Sequence, residues 1–348
     1  MPMNTRIIVQ DSTDGPLALR EVTLPDPGPH DVLVQIHATG VCQSQLFWMH
    51  ADHAEPMLFG HEGYGTVLAT GSAVTHIAAG EAAMITWVPR SDDRIPTRAS
   101  IDLPDGRTAH SPNVYTWAEH ALVDELYVMA LPPESREDVV SVVGCAVVTG
   151  AGALCNAAPV EPGNTVAVFG AGGVGLSAVA AASIRGASRI VAVDLDAEKL
   201  AFAKQFGATD TIDASVTDNP AAAIVELTGG VDIAVDCVGL TSTTVQALDS
   251  VRAGRVGGRR GGTVVLVGLP KSLTELNLAG LIGGQKQLVG TTAGGCGQDD
   301  IGTFLDWHTE GLLDLNTLVT NRYTIEDIDR AVSDLAAGRV LGRAIVTM

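Results

Sequence analysis

Between Thr165 and Asp194 the chain reads TVAVFGAGGVGLSAVAAASIRGASRIVAVD, and no other stretch limits the possible folds so severely. An apolar run, a cluster of glycines, an alanine-rich run and a second apolar run ending in an acid read as strand, turn, helix, strand. Gly170, Gly172 and Gly175 hold GxGxxG spacing in the turn. The first permits a tight turn, the second lets backbone approach a pyrophosphate, and the third lets helix and strand pack closely. Gly173 and Val174 then open a helix whose free N–H groups and partial positive charge face the phosphates. Asp194 lies 19 residues after Gly175, where a carboxylate accepts hydrogen bonds from adenosine ribose hydroxyls and repels a 2′-phosphate. NAD is therefore favoured over NADP. Glycine is common here, 39 of 348 residues, so an ordinary glycine-rich turn is the competing reading. The preceding strand and the following acid favour the dinucleotide.

The same alternation continues around this unit. TVAVFG, RIVAVD, DTID, DIAVDCVG and TVVLVG read as strands, with helices around VGLSAVAAASIRG, AEKLAFAKQFG, PAAAIVELTG and STTVQALDSVR. That order predicts an α/β fold with a doubly wound parallel sheet covered on both faces. The first 130 or so residues differ, carrying short apolar or alternating stretches such as VLVQIHATG and GYGTVLA between Gly, Pro and Asp clusters, a mostly β pattern. Residues 91–114 have no regular period and read as a long loop, and 253–262 (AGRVGGRRGG, with Arg255, Arg259 and Arg260) as an exposed one. A length of 348 residues favours two domains.

The formal charge of −19 excludes nucleic acid and anionic membranes as natural partners. No apolar run reaches the roughly 20 residues a membrane helix needs, and the first residues lack the apolar core of a signal peptide. A cytoplasmic protein is expected. Five scattered cysteines, odd in number, argue against a disulfide framework. Cys42 in GVCQSQLFWMH, His61 and Glu62 in FGHEGYG and Cys145 in VVGCAVVTG are the residues that change this picture. Two thiolates and an imidazole make a three-ligand zinc set with a fourth position open, as catalytic zinc requires.

Taken in order, GVCQS, GHEGYG, GCAVVTG, GAGGVG with Asp194, VVLVGLP and a terminal GRAIV resemble the zinc-dependent alcohol dehydrogenases of the medium-chain dehydrogenase/reductase superfamily over nearly the whole length. The resemblance implies a GroES-like β-rich catalytic domain over 1–150, a Rossmann NAD-binding domain over 151–291 and a return to the catalytic domain over 292–348, with the active site in the cleft. It makes Cys42, His61 and Cys145 the zinc ligands and Glu62 a carboxylate able to approach the metal. Ser44 would bond the substrate oxygen and begin a proton path. Lys199 would contact the ribose, Arg343 the pyrophosphate, and Val267 and Leu269 would lie beside the nicotinamide. Phe47, Trp48 and Trp87 would line the substrate pocket. The activity implied is hydride transfer between an alcohol and NAD, or to an aldehyde or ketone in reverse, by a homodimer or homotetramer.

Four departures qualify that pattern. Gln45 stands where the family has an aspartate that bonds the ligand histidine, and an amide oxygen there could fix the tautomer without supplying charge. Phe47 replaces a relay histidine, leaving His50, His53 or water, and Gln43 replaces a phosphate-binding arginine. Residues 91–114 contain none of the four cysteines that hold a structural zinc in many relatives, so one zinc per chain is expected. Phe47, Trp48, Met49, Met57 and Trp87 suggest bulky or aromatic substrates. A zinc-free quinone or enone reductase of the same superfamily, or a catalytically silent dinucleotide-binding protein, are the alternatives.

Overall fold

The computed structural model describes residues 3–270 and 272–348. The chain forms two compact units: one runs to Cys145 and resumes at Gly297, and the other is Ala146–Cys296. The divisions thus lie five residues from the expected ones after 150 and 291.

The first unit is built on strands β1 (Met3–Gln10), β2 (Leu17–Leu24), β3 (Asp31–Val41), β4 (Met57–Leu58), β5 (Glu62–Thr70), β6 (Ala82–Thr86), β7 (Ser100–Asp102), β8 (Thr108–His110), β9 (His120–Asp124) and β10 (Val128–Ala130), with helix α1 (Gln43–His50) following β3. Alternation along β1 explains its place. Successive side chains point to opposite faces of a strand, so Ile7 and Val9 enter one core with Val34, Ile36 and Val67, while Ile8 enters another with Phe59 and Trp117.

The long loop expected over 91–114 is partly ordered into sheet. β7 and β8 pair antiparallel and extend the sheet β2-β1-β4-β8-β7. Three-residue strands are too short to show a period in sequence, which is why they were not foreseen. Beside these strands Arg94 grips the buried Asp124 through two bonds of 2.6 and 2.7 Å. The same carboxylate accepts from the backbone N–H groups of Thr97 and Leu126 at 2.8 and 2.9 Å.

The second unit contains β11 (Thr165–Phe169), β12 (Arg189–Asp194), β13 (Asp210–Asp213), β14 (Ile233–Asp236), β15 (Thr263–Leu266) and β16 (Gln287–Gly290). All pairings are parallel, in the order β13-β12-β11-β14-β15-β16. This is the doubly wound order with its switch point beside β11, where dinucleotides bind. The edge strand β16 went unread because its four residues are only half-buried or exposed. Helix α2 (Ala146–Gly152) opens the unit, followed by α3 (Gly173–Ile184), α4 (Ala197–Ala203), α5 (Pro220–Thr228) and α6 (Thr241–Ser250). The loop at 253–262 is largely exposed, with Arg259 paired to Asp232 at 2.6 Å.

The chain then returns to the first unit as β17 (Val319–Thr324) and β18 (Arg343–Thr347), completing the sheet β10-β6-β5-β3-β18-β17, with β9 also on β3. No single described helix is long and apolar enough to cross a membrane.

Burial works to raise the Asp124 carboxyl, but Arg94 and the two N–H groups outweigh it and hold the group below its ordinary value. A depressed carboxylate contributes stability that is present above its unfolded value near pH 4 and lost as pH falls through the folded one. Arg94→Ala should therefore cost about 2 kcal/mol at neutral pH, with faster amide exchange over residues 94–99. Denaturant melts at pH 7 and pH 3 check this, since the difference between wild type and variant should shrink in acid.

Candidate active site

Four side chains from three distant segments meet inside the first unit. Cys42 is the residue between β3 and α1, taking an extended conformation at φ −110° and ψ 144°. His61 and Glu62 enter β5 directly after Gly60, whose φ of +88° favours glycine, and where a Cβ would also overlap the Thr116 and Trp117 side chains and backbone. Cys145 ends the 3₁₀ turn over Asp138–Gly144. Buried hydroxyls tie these segments together. Thr39 donates to the Glu62 carbonyl at 2.8 Å, and Thr86, opposite Glu62 in the β5–β6 pairing, donates to the Gly144 carbonyl at 2.7 Å.

The result is a compact donor set. Cys42 Sγ and Cys145 Sγ stand 3.6 Å apart and His61 Nε2 lies 3.1 Å from Cys145 Sγ; with a Glu62 oxygen, all four ligand atoms fall within 4.8 Å of one another. Two thiolates each about 2.3 Å from a tetrahedral zinc would be about 3.8 Å apart. Zinc fits. Ser44 Oγ donates to Cys42 Sγ at 3.3 Å, and the Trp87 ring stands edge-on to His61 at 6.4 Å between centroids. Phe47 and Trp48 are 48% and 37% exposed.

In the second unit the glycine turn has the required shape. Gly170 adopts φ +92°, and a Cβ on Gly175 would overlap the Gly170 carbonyl. A Cβ on Gly172 would meet nothing within 4 Å, leaving open backbone before the N-terminus of α3. Gly173 and Val174 form its first turn. Asp194 ends β12; its Oδ2 accepts from Ala171 N–H at 2.7 Å and its Oδ1 from Asp196 N–H at 3.1 Å, which fixes the carboxylate beside the turn. Lys199 is half-buried in the first turn of α4. Val267, just after β15, donates its N–H to the Asp236 carbonyl at 3.1 Å, and Leu269 is 48% exposed. These features fit a dinucleotide.

Comparison with known proteins gives the family. Residues 28–133 match the alcohol dehydrogenase GroES-like domain and residues 173–310 the zinc-binding dehydrogenase domain. S-(hydroxymethyl)glutathione dehydrogenase of Synechocystis sp. is 31% identical, covering 99% of this chain and 100% of that protein. The chain belongs to the zinc-dependent alcohol dehydrogenases of the medium-chain dehydrogenase/reductase superfamily. Among solved structures, an alcohol dehydrogenase zinc-binding domain protein from Burkholderia ambifaria aligns with a TM-score of 0.90 at 28% identity, covering 100% of both chains. Benzyl alcohol dehydrogenase from Acinetobacter calcoaceticus aligns with a TM-score of 0.86 at 27% identity, covering 99% of each.

Within this alcohol dehydrogenase the ligand set carries its own electrostatics. Cys145 donates to Cys42 and His61 lies close by, which holds the Cys42 thiol well below its ordinary value against the pull of burial. Donating that bond, together with burial, raises Cys145. Burial pushes Glu62 up to about 7, opposed by Arg343.

Two residues have partners that the sequence did not foretell. Arg343, expected at the pyrophosphate, begins β18 where Ala344 pairs with Val41; its side chain is 5% exposed and forms an ion pair with Glu62 Oε1. No sequence signal joins residues 281 positions apart. Gln45, expected to offer its oxygen to His61, instead spends Oε1 on the Gly60 N–H at 2.7 Å and turns its NH₂ toward His61 Nδ1.

Removing one member of a buried ion pair leaves an uncompensated charge. Arg343→Met should cost about 3–5 kcal/mol, and adding Glu62→Gln should recover more than half of that loss. A double-mutant cycle by denaturant unfolding measures the coupling.

Proposed function

We propose that this enzyme oxidises primary alcohols bearing a bulky or aromatic group with NAD, and reduces the matching carbonyl compounds in reverse. The observation that carries the reading is the convergence of Cys42, His61 and Cys145 with the Ser44 hydroxyl beside them. Cys42, His61 and Cys145 would hold zinc, and the glycine turn with Asp194 would hold NAD. When bound, zinc acts as a Lewis acid on the substrate oxygen and NAD accepts the hydride from the carbinol carbon.

The chain's own residues handle the rest. Ser44 takes the hydroxyl proton as the C=O bond forms and returns it in reduction. His50 is engaged by Asp14 at 2.5 Å and His53 by Glu55 and Gln10, both near the surface, so the proton passes from Ser44 to water. Arg343 pairs with Glu62 Oε1 behind the ligands, while Glu62 Oε2 is buried without a hydrogen-bond partner and faces the ligand cluster. Phe47, Trp48 and Trp87 offer apolar area for an aromatic group. Two of the relatives are named for benzyl alcohol and for S-(hydroxymethyl)glutathione, the second an anionic peptide adduct. A chain of formal charge −19 and these three rings favour the former.

Lys199 contacts the ribose, with Val267 and Leu269 beside the nicotinamide. The edge strand β16 and the exposed Leu273, Leu278 and Ile282 support a homodimer or homotetramer, and the scattered cysteines support a cytoplasmic setting.

Purified protein should contain one zinc per chain by atomic emission, and Cys42→Ser and Cys145→Ser should lose both metal and turnover. Benzyl alcohol should be oxidised with a kcat/KM roughly tenfold or more higher for NAD than for NADP, from repulsion at Asp194. It should also exceed S-(hydroxymethyl)glutathione as substrate. Metal-free protein with full turnover would overturn the proposal.

A further inference from the structure

We propose that Gln45 is a positioning residue that opposes metal occupancy, because its amide donates to the one nitrogen of His61 that must itself carry a proton when the other ligates. The inference rests on the zinc reading of the site given above.

The amide's orientation follows from its other neighbour. The Gly60 backbone N–H can only donate, and it lies 2.7 Å from Gln45 Oε1. Gln45 Nε2 is therefore the atom left facing His61 Nδ1. Both side chains are buried, at 5% and 8% exposure, so water does not offset a poor pairing. A neutral imidazole has one N–H and one acceptor nitrogen. In the metal-free site both ring nitrogens are matched: Gln45 donates to Nδ1, and Nε2–H donates toward Cys145 Sγ at 3.1 Å.

Ligation reverses this. Nε2 is the nitrogen aimed at the sulfurs, so it must give its lone pair to the metal, and the proton of the neutral ring then sits on Nδ1. Two donors now face each other. Turning the amide over supplies Oε1 to Nδ1–H but points NH₂ at the Gly60 N–H. One donor–donor contact therefore persists in the loaded state whichever way the amide lies, and none exists in the metal-free state. A carboxylate at this position, as the family pattern has, accepts from both neighbours at once. The chain's own substitution consequently weakens its hold on the metal and makes exchange easier, beyond the mere loss of a charge.

The sign of one neutral substitution separates these ideas. Zinc-loaded full-length protein is titrated with a chromophoric zinc chelator, comparing wild type, Gln45→Met and Gln45→Glu. Methionine has similar length and no donor, so it should hold zinc roughly fivefold or more tighter than wild type, and glutamate tighter still. If Gln45 instead supports His61, Gln45→Met will bind zinc more weakly, and that result overturns the inference. Nitrogen-15 spectra of wild type provide the second reading: His61 should be protonated on Nε2 in metal-stripped protein and on Nδ1 after zinc is added. Nδ1 protonation in both states would also overturn it, even were the methionine variant not to fold. Wild type that takes up no zinc in this titration removes the zinc reading itself, whereas uptake with the order of variants reversed removes only the role of Gln45.

Discussion

Three acidic groups, Cys42, Cys145 and Glu62, are buried together against one cation, Arg343, and the rest of the first unit is arranged around that crowding. Fully ionised, the group carries two thiolates and a carboxylate against one guanidinium, a net charge of −2. Charge of that size is not stable inside a protein without a counterion. A divalent cation at the three ligands cancels it, and in the absence of metal a shared thiol proton relieves it in part. The same imbalance that makes the site costly to assemble makes it a binding site.

That imbalance explains details remote from the ligands. Gly40 is obligatory because a Cβ there would overlap the Glu62 carboxyl. Thr39 holds the Glu62 carbonyl and Thr86, opposite Glu62, holds the Gly144 carbonyl, which ties the Glu62 backbone and the Cys145 turn to the same pair of strands. The pairing of Ala344 with Val41 delivers Arg343 next to Cys42, which makes the last strand of the chain part of the metal centre. The terminal segment is thus needed for the chemistry as well as for completing the sheet.

What the sequence revealed follows from how local each constraint is. The shape of the glycine turn was legible because its requirements, a positive φ at Gly170 and close packing at Gly175, lie within six residues of one another. The ligands were legible only through resemblance, since their convergence depends on the register of β3, β5 and a 3₁₀ turn far along the chain. The Glu62–Arg343 pair and the amide orientation of Gln45 had no signal at all. One spans the chain, and the other is decided by a single backbone N–H at Gly60. The three-residue strands at 100–102 and 108–110 were too short to show alternation, and β16 lacks the burial that marks its neighbours.

X-ray absorption at the zinc edge of the purified enzyme addresses the central claim most directly. The account predicts two sulfur neighbours at about 2.3 Å and lighter atoms at about 2.0–2.1 Å completing four-coordination. A shell of four sulfurs, a shell of oxygen and nitrogen alone, or protein that holds no zinc would contradict it.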